Sequence, residues 1–124
     1  NDGRVIPNFI NQLIENKNFT IYGDGLQTRS FCYIDDLVVG IDLALECNYN
    51  EPINLGNPKE YTILELVDLV KKIKTNNSKI IFKKIPEDDP KNRKPDITLA
   101  TKLFKWKPLV NLSDGLKKTF DYYK

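Results

Sequence analysis

Tyr22-Gly23-Asp24-Gly25-Leu26-Gln27-Thr28-Arg29-Ser30-Phe31-Cys32-Tyr33-Ile34-Asp35-Asp36 is the stretch from which the rest of the chain can be read. A short apolar run, Phe19, Thr20 and Ile21, leads into a Gly-x-Gly turn, and an alternating stretch over 29–34 follows. Two acids then open a helix, with Asp35 or Asp36 as its cap. Glycine has no Cβ, so such a turn can bring backbone N–H groups close to a ligand. Arg29 can grip a carboxylate or a phosphate in a bidentate way. Together they suit an anionic small molecule. The plainer reading is a hairpin turn followed by a strand-end arginine paired with Asp24 or Asp35.

Outward from this stretch, helical and extended patterns alternate. Val5, Ile6, Phe9, Ile10, Leu13 and Ile14 repeat at helical spacing, predicting a helix from about Ile6 to about Lys17 with Pro7 near its start. Phe19 to Tyr22 reads as a strand. The helix opened by the acids carries Leu37, Val38, Ile41, Ala44 and Leu45 on one face. The run 52–58 reads as a buried strand ending in a Gly-containing turn. Thr62 and Glu65 form a capping box for a helix reaching about Ile73. A strand over 79–85, a polar loop over 86–96, a short helix over 98–104 and a final helix capped by Ser113 complete the series. Strands alternating with helices predict an α/β fold.

The bulk numbers exclude several classes. At 124 residues the chain fits one domain, residues 1–124, able to bury roughly two-thirds of its unfolded surface. A net charge of +2, with lysines scattered rather than striped, argues against a nucleic-acid partner. No apolar run approaches membrane-span length and none resembles a signal peptide, so a cytoplasmic chain is expected. Cys32 and Cys47 match no zinc or redox spacing and read as reduced core thiols. With no histidine, Ser–His–Asp and Cys–His nucleophile systems are out, as are the usual catalytic zinc sites, and no metal site is expected.

A second anion candidate is the loop Asp88-Asp89-Pro90-Lys91-Asn92-Arg93-Lys94-Pro95-Asp96. Its cations lie between two prolines, which stiffen it, and Arg93 could reach a diphosphate. It reads equally as a solvated charge run. Asp88 and Asp89 suit a turn and arginine partners better than a metal pair. Asn8 and Asn54 could satisfy backbone groups or touch a ligand. Trp106 near Pro108 is expected to pack the short helix rather than stack on a base.

Taken together, several stretches carry a resemblance. Asn1-Asp2-Gly3-Arg4-Val5 with Asn8-Phe9-Ile10, then Tyr22-Gly23-Asp24-Gly25 with Gln27-Thr28-Arg29-Ser30-Phe31, resemble the C-terminal half of extended short-chain dehydrogenases acting on nucleotide sugars. Ile53-Asn54-Leu55-Gly56-Asn57-Pro58 with Tyr61-Thr62-Ile63-Leu64-Glu65, and Asp88-Asp89-Pro90 through Arg93-Lys94-Pro95-Asp96-Ile97, are similar to the UDP-glucuronate decarboxylase (UDP-xylose synthase) family. The resemblance implies the substrate-binding portion of a Rossmann-type extended fold whose N-terminal dinucleotide-binding part is missing. Neither a Gly-x-x-Gly-x-x-Gly turn nor a Tyr-x-x-x-Lys pair occurs in the sequence.

In such enzymes, the resemblance further implies, NAD oxidises the sugar C4 hydroxyl. The resulting β-keto acid loses carbon dioxide, and hydride return gives UDP-xylose. A UDP-sugar would then lie against Arg4, Ile6, Asn8, Phe9 and Ile10, with Tyr22, Gly23, Gly25 and Gln27 contacting the uridine largely through backbone. Arg29 would meet the diphosphate or the carboxylate, and Arg93 would hold the diphosphate from the other side. No catalytic residue is carried over with this chain. NAD is expected in the parent enzyme but not on this chain alone, which is expected to lack turnover. Its apolar faces are expected to self-associate or to meet the missing lobe. A 4,6-dehydratase or 4-epimerase fragment, or a non-catalytic nucleotide-sugar-binding module, is the alternative.

Overall fold

Val5, Ile6, Phe9, Ile10 and Leu13 share one face of a helix, and burying that face starts the core. A computed structural model describes residues 4–85 and 94–124. Helix α1 runs Val5–Ile14, with Pro7 in its first turn, where a missing N–H costs no intrahelical bond. It stops before residue 17 because Asn16 adopts a left-handed conformation, φ 57°. The Asn16 N–H then bonds the Leu13 carbonyl and the Lys17 N–H the Gln12 carbonyl, a Schellman closure.

Strand β1, Phe19–Tyr22, pairs in parallel with β4, Ile80–Lys83, in the register Phe19 with Ile80 and Tyr22 with Lys83. Strand β2, Thr28–Arg29, pairs antiparallel with β3, Tyr61–Thr62. Helix α3, Ile63–Lys71, follows β3 directly, opened by the expected capping box of Thr62 and Glu65. The last helix, α5, spans Leu112–Tyr123. Phe9, Ile10 and Leu13 of α1, Phe19 and Ile21 of β1, and the apolar faces of α3 and α5 make one continuous core. The expected α/β character is therefore present, in two small two-stranded sheets.

Helix α2, Ile34–Glu46, lies outside that core and packs with the short α4, Thr98–Phe104. Trp106 fastens the pair. Its indole is buried, 3% exposed, and Nε1 donates to the Asp36 carbonyl at 3.0 Å. Trp106 thus packs, as its sequence context suggests.

Other elements also differ from the sequence reading. The strand expected over 29–34 is reduced to Thr28–Arg29, because β3 offers only Thr62 and Tyr61 as partners. No strand forms over 52–58, where no described segment lends an edge for pairing. Helix α2 begins at Ile34, and its N-cap is Tyr33 without a side-chain bond. Asp36 is instead drawn inward, where its Oδ2 accepts the Leu109 and Val110 N–H groups at 3.0 and 2.9 Å. Asn111, not Ser113, caps α5 by accepting the Asp114 N–H at 2.8 Å. None of the described helices is long and apolar enough to cross a membrane.

Candidate functional site

The Gly23–Gly25 turn exists, and its glycines are required by conformation: φ is 83° at Gly23 and 78° at Gly25. The space where their side chains would stand is already filled. A Cβ on Gly25 would come within 2.7 Å of Leu64 Cγ, and one on Gly23 within 3.1 Å of Ile85 Cδ1. Much of the turn's backbone is committed too. The Gly23 N–H donates to the Lys83 carbonyl, while the Gly25 and Gln27 carbonyls accept the Leu64 and Ile63 N–H groups. Asp24 Oδ1 accepts the Leu26 N–H at 2.9 Å. The turn therefore joins β1 to the start of α3.

Gln27 and Arg29 come out of this turn. Gln27 is 7% exposed, and its Nε2 donates to the Tyr22 carbonyl at 2.9 Å. Its Oε1 is buried and has no hydrogen-bond partner among the described residues, an acceptor waiting for a donor. Arg29 is half-buried at the end of β2, and its Nη1 donates to the Thr28 carbonyl at 2.7 Å. Tyr22 next to the turn is 45% exposed. Tyr22, Gln27 and Arg29 thus flank one short turn, with an aromatic ring, a buried acceptor and a fixed cation.

Helix α1 buries its predicted residues to different depths. Arg4, the N-cap, is exposed, and Ile6 and Asn8 are half-buried. Phe9 and Ile10 are core residues, 2% and 0% exposed, so their side chains present no surface to a ligand. Ile6 also lines a cleft of about 330 Å³, open mouth included, together with Phe31, Tyr33, Asn111 and Thr119. Cys32 borders this cleft; burial first, and then the Asp36 carboxylate, push its thiol pKa up. Arg4, Asn8 and Arg29 do not line it. Arg93, Asp88 and Asp89 lie outside the described residues.

The sequence reading missed the acid bonded to Thr28, the residue before Arg29. Glu60 Oε2 accepts the Thr28 hydroxyl at 2.7 Å, and Glu60 Oε1 lies 3.7 Å from Lys94 Nζ. Thr28 and Glu60 are 32 residues apart, and only the cross-strand pairing of β2 with β3 could have signalled their meeting. Two carboxyls elsewhere, Glu65 and Asp96, are held below the usual carboxylate range. Glu65 is held there by hydrogen bonds from Thr62, and Asp96 by hydrogen bonds from Thr98. Among the described residues no group of acids and cysteines is arranged to hold a metal ion.

Comparison with known proteins places these features. Residues 1–56 match the family model described as NAD dependent epimerase/dehydratase family. The chain is 46% identical over 123 residues to UDP-glucuronic acid decarboxylase 1 of Danio rerio, covering 99% of this chain and 29% of that protein. It is 49% identical over 115 residues to UDP-glucuronic acid decarboxylase 4 of Arabidopsis thaliana, covering 93% of this chain and 26% of that one. The chain thus spans under a third of the length of these curated relatives. Among solved structures, it superposes on the UDP-glucuronic acid 4-epimerase of Bacillus cereus, in complex with UDP-glucuronic acid and NAD. The TM-score is 0.90 at 38% identity, over 97% of this chain and 39% of that one. The UDP-glucose 4-epimerase of Thermotoga maritima, with UDP-glucose, gives a TM-score of 0.93 at 30% identity, over 99% of this chain and 40% of that one.

The Bacillus cereus neighbour is in complex with NAD, and among the described residues the Gly23–Gly25 turn does not fit a dinucleotide pyrophosphate. A dinucleotide pyrophosphate needs glycines whose missing side chains leave room for phosphate, and here Leu64 and Ile85 take that room. The sequence match and the Rossmann-type neighbours agree: residues 1–56 match the NAD dependent epimerase/dehydratase family, and nearly the whole chain is similar to one part of the UDP-glucuronic acid decarboxylases, enzymes of the extended short-chain dehydrogenase type.

Proposed function

We propose that residues 1–124 form one nucleotide-sugar-binding unit of an NAD-dependent UDP-glucuronic acid decarboxylase, and that this unit alone has no turnover. The observation that carries the reading is the match to decarboxylases along almost the whole chain, 46% identity over 99% of it. Arg29 supplies the chemistry this reading needs. UDP-glucuronic acid carries a diphosphate and a carboxylate, and a guanidinium fixed at a strand end can bind either through paired N–H donors. Arg93 completes the grip on the diphosphate. Tyr22, Gly23, Gly25 and Gln27 face the uridine, with the buried Gln27 Oε1 as an acceptor for a ligand N–H. Arg4, Ile6 and Asn8 border the sugar side.

The same reading assigns a partner to α2. Ile34, Val39 and Leu45 on this helix are 57%, 53% and 79% exposed, and Val38 and Ile41 lie exposed with them. We take this face to be covered by the remainder of a protein of the relatives' length, or by a second copy when the chain is alone. A cytoplasmic setting belongs to the proposal, since the free thiols of Cys32 and Cys47 suit a reducing compartment.

A 4-epimerase is the second reading, favoured by the 38% identity to the Bacillus cereus enzyme. Both readings use UDP-glucuronic acid, and release of carbon dioxide by a full-length relative separates them. Calorimetric titration of this chain with UDP, UDP-glucuronic acid and NAD tests the binding claim. Both UDP ligands should bind and NAD should not. Arg29→Ala and Arg93→Ala should each weaken UDP by about tenfold or more, the scale of a charge-assisted hydrogen bond. Tight NAD binding, or UDP binding indifferent to both substitutions, would refute it.

A further inference from the structure

Both oxygens of the Glu60 carboxylate are used, and they reach different segments. Oε2 accepts the Thr28 hydroxyl at 2.7 Å, one residue before Arg29. Oε1 faces the ammonium of Lys94 at 3.7 Å. The next residue of that second segment is held by shape. Pro95 packs so closely on Gly56 that a Cβ there would stand 2.8 Å from Pro95 Cγ. On its other side, the segment leading from Gly56 continues into β3, whose Tyr61 and Thr62 pair with Arg29 and Thr28. Residues 56–62 are thus a common platform, with the strand carrying Arg29 on one side and the Lys94–Pro95 segment on the other.

A carboxylate bonded to the residue before an anion-binding arginine adds negative charge near the anion, which is electrostatically unfavourable. If Glu60 contributes to binding, it must do so through geometry. We propose that Glu60 is a positioning residue that fixes the Arg29 strand against the Lys94 segment so that a nucleoside diphosphate meets Arg29 in one orientation. This rests on the nucleotide-sugar reading above. The Thr28 bond is short and charge-assisted, so it can hold this geometry. The partly exposed Lys94 pair adds direction more than stability.

The sign of the mutational effect decides. A purely electrostatic Glu60 predicts that its removal tightens UDP; a positioning Glu60 predicts weakening. Calorimetry with UDP and with uridine should show Glu60→Ala losing about tenfold in UDP affinity while uridine affinity stays the same. Glu60→Gln, which keeps an acceptor for Thr28, should lie between Glu60→Ala and the native chain. Tighter or unchanged UDP binding by Glu60→Ala, or equal losses for UDP and uridine, would overturn the proposal. If the native chain bound neither ligand, the nucleotide-sugar reading would fail. Amide chemical shifts then judge Glu60 by itself. Lys94→Ala should move the Arg29 amide in the native background and not in Glu60→Ala. Absence of that coupling would overturn the positioning role even if UDP bound.

Discussion

Asp36 shows how far a single residue can depart from its sequence context. Beside Asp35 at the head of a helix it reads as a cap, yet it is 7% exposed and its Oδ2 receives two backbone N–H groups from residues 109 and 110. Its carbonyl takes the Trp106 indole N–H as well. Asp36→Ala strands both N–H donors and should cost about 2 kcal/mol or more, read as a lower urea midpoint. Asp36→Asn can turn its amide oxygen to the same two donors and should cost less. Equal stability of the alanine variant and the native chain would show that these bonds contribute nothing. The glycines teach a related lesson. Gly23 and Gly25 were legible as a turn, and their positive φ bears that out. That Leu64 and Ile85 occupy the space beside them is a tertiary fact that no local pattern contains.

At the scale of elements, the helices were readable and the strands only in part. Periodicity located α1, α3 and α5, each of which buries a face within this chain, and also α2, much of whose apolar face stays exposed; the Thr62–Glu65 box fixed the start of α3. Thr62→Ala should destabilise the chain by about 1 kcal/mol, as loss of a cap does, checked by chemical denaturation. The box also gives a pH dependence. The Thr62 hydrogen bonds hold the folded-state pKa of Glu65 below its ordinary value. Their contribution is therefore complete above the unfolded carboxylate range, about pH 4, and is lost as pH falls through the lower folded value. Glu65→Gln should flatten that acid limb of the stability curve; an unchanged slope would count against the box. Strands follow different logic. The alternation over 29–34 and the apolar run over 52–58 look extended in sequence, but a strand is completed by its neighbour. Only Thr28 and Arg29 find one among the described residues.

The whole molecule has two sides of unlike character. Helices α1, α3 and α5 close over β1 in a continuous core, while α2 presents Ile34, Val38, Val39, Ile41 and Leu45 outward. A contiguous apolar face of this kind marks an interaction surface. Sedimentation should show concentration-dependent self-association of the isolated chain. Replacing Val39 and Leu45 by lysine should reduce it without lowering the thermal midpoint. A clean monomer at all concentrations would contradict the assignment. The candidate site was legible as residue types, the turn, Arg29 and Gln27, but not as a constellation. Glu60 enters through sheet pairing, and Phe9 and Ile10 withdraw into the core. The central claim, that this chain is a preformed nucleotide-sugar-binding unit, is tested most directly by nitrogen-15 NMR of the labelled chain titrated with UDP. The account predicts saturable shifts concentrated at residues 4–8, 22–29 and around 93. Shifts confined to other surfaces, or none at saturating UDP, would contradict it.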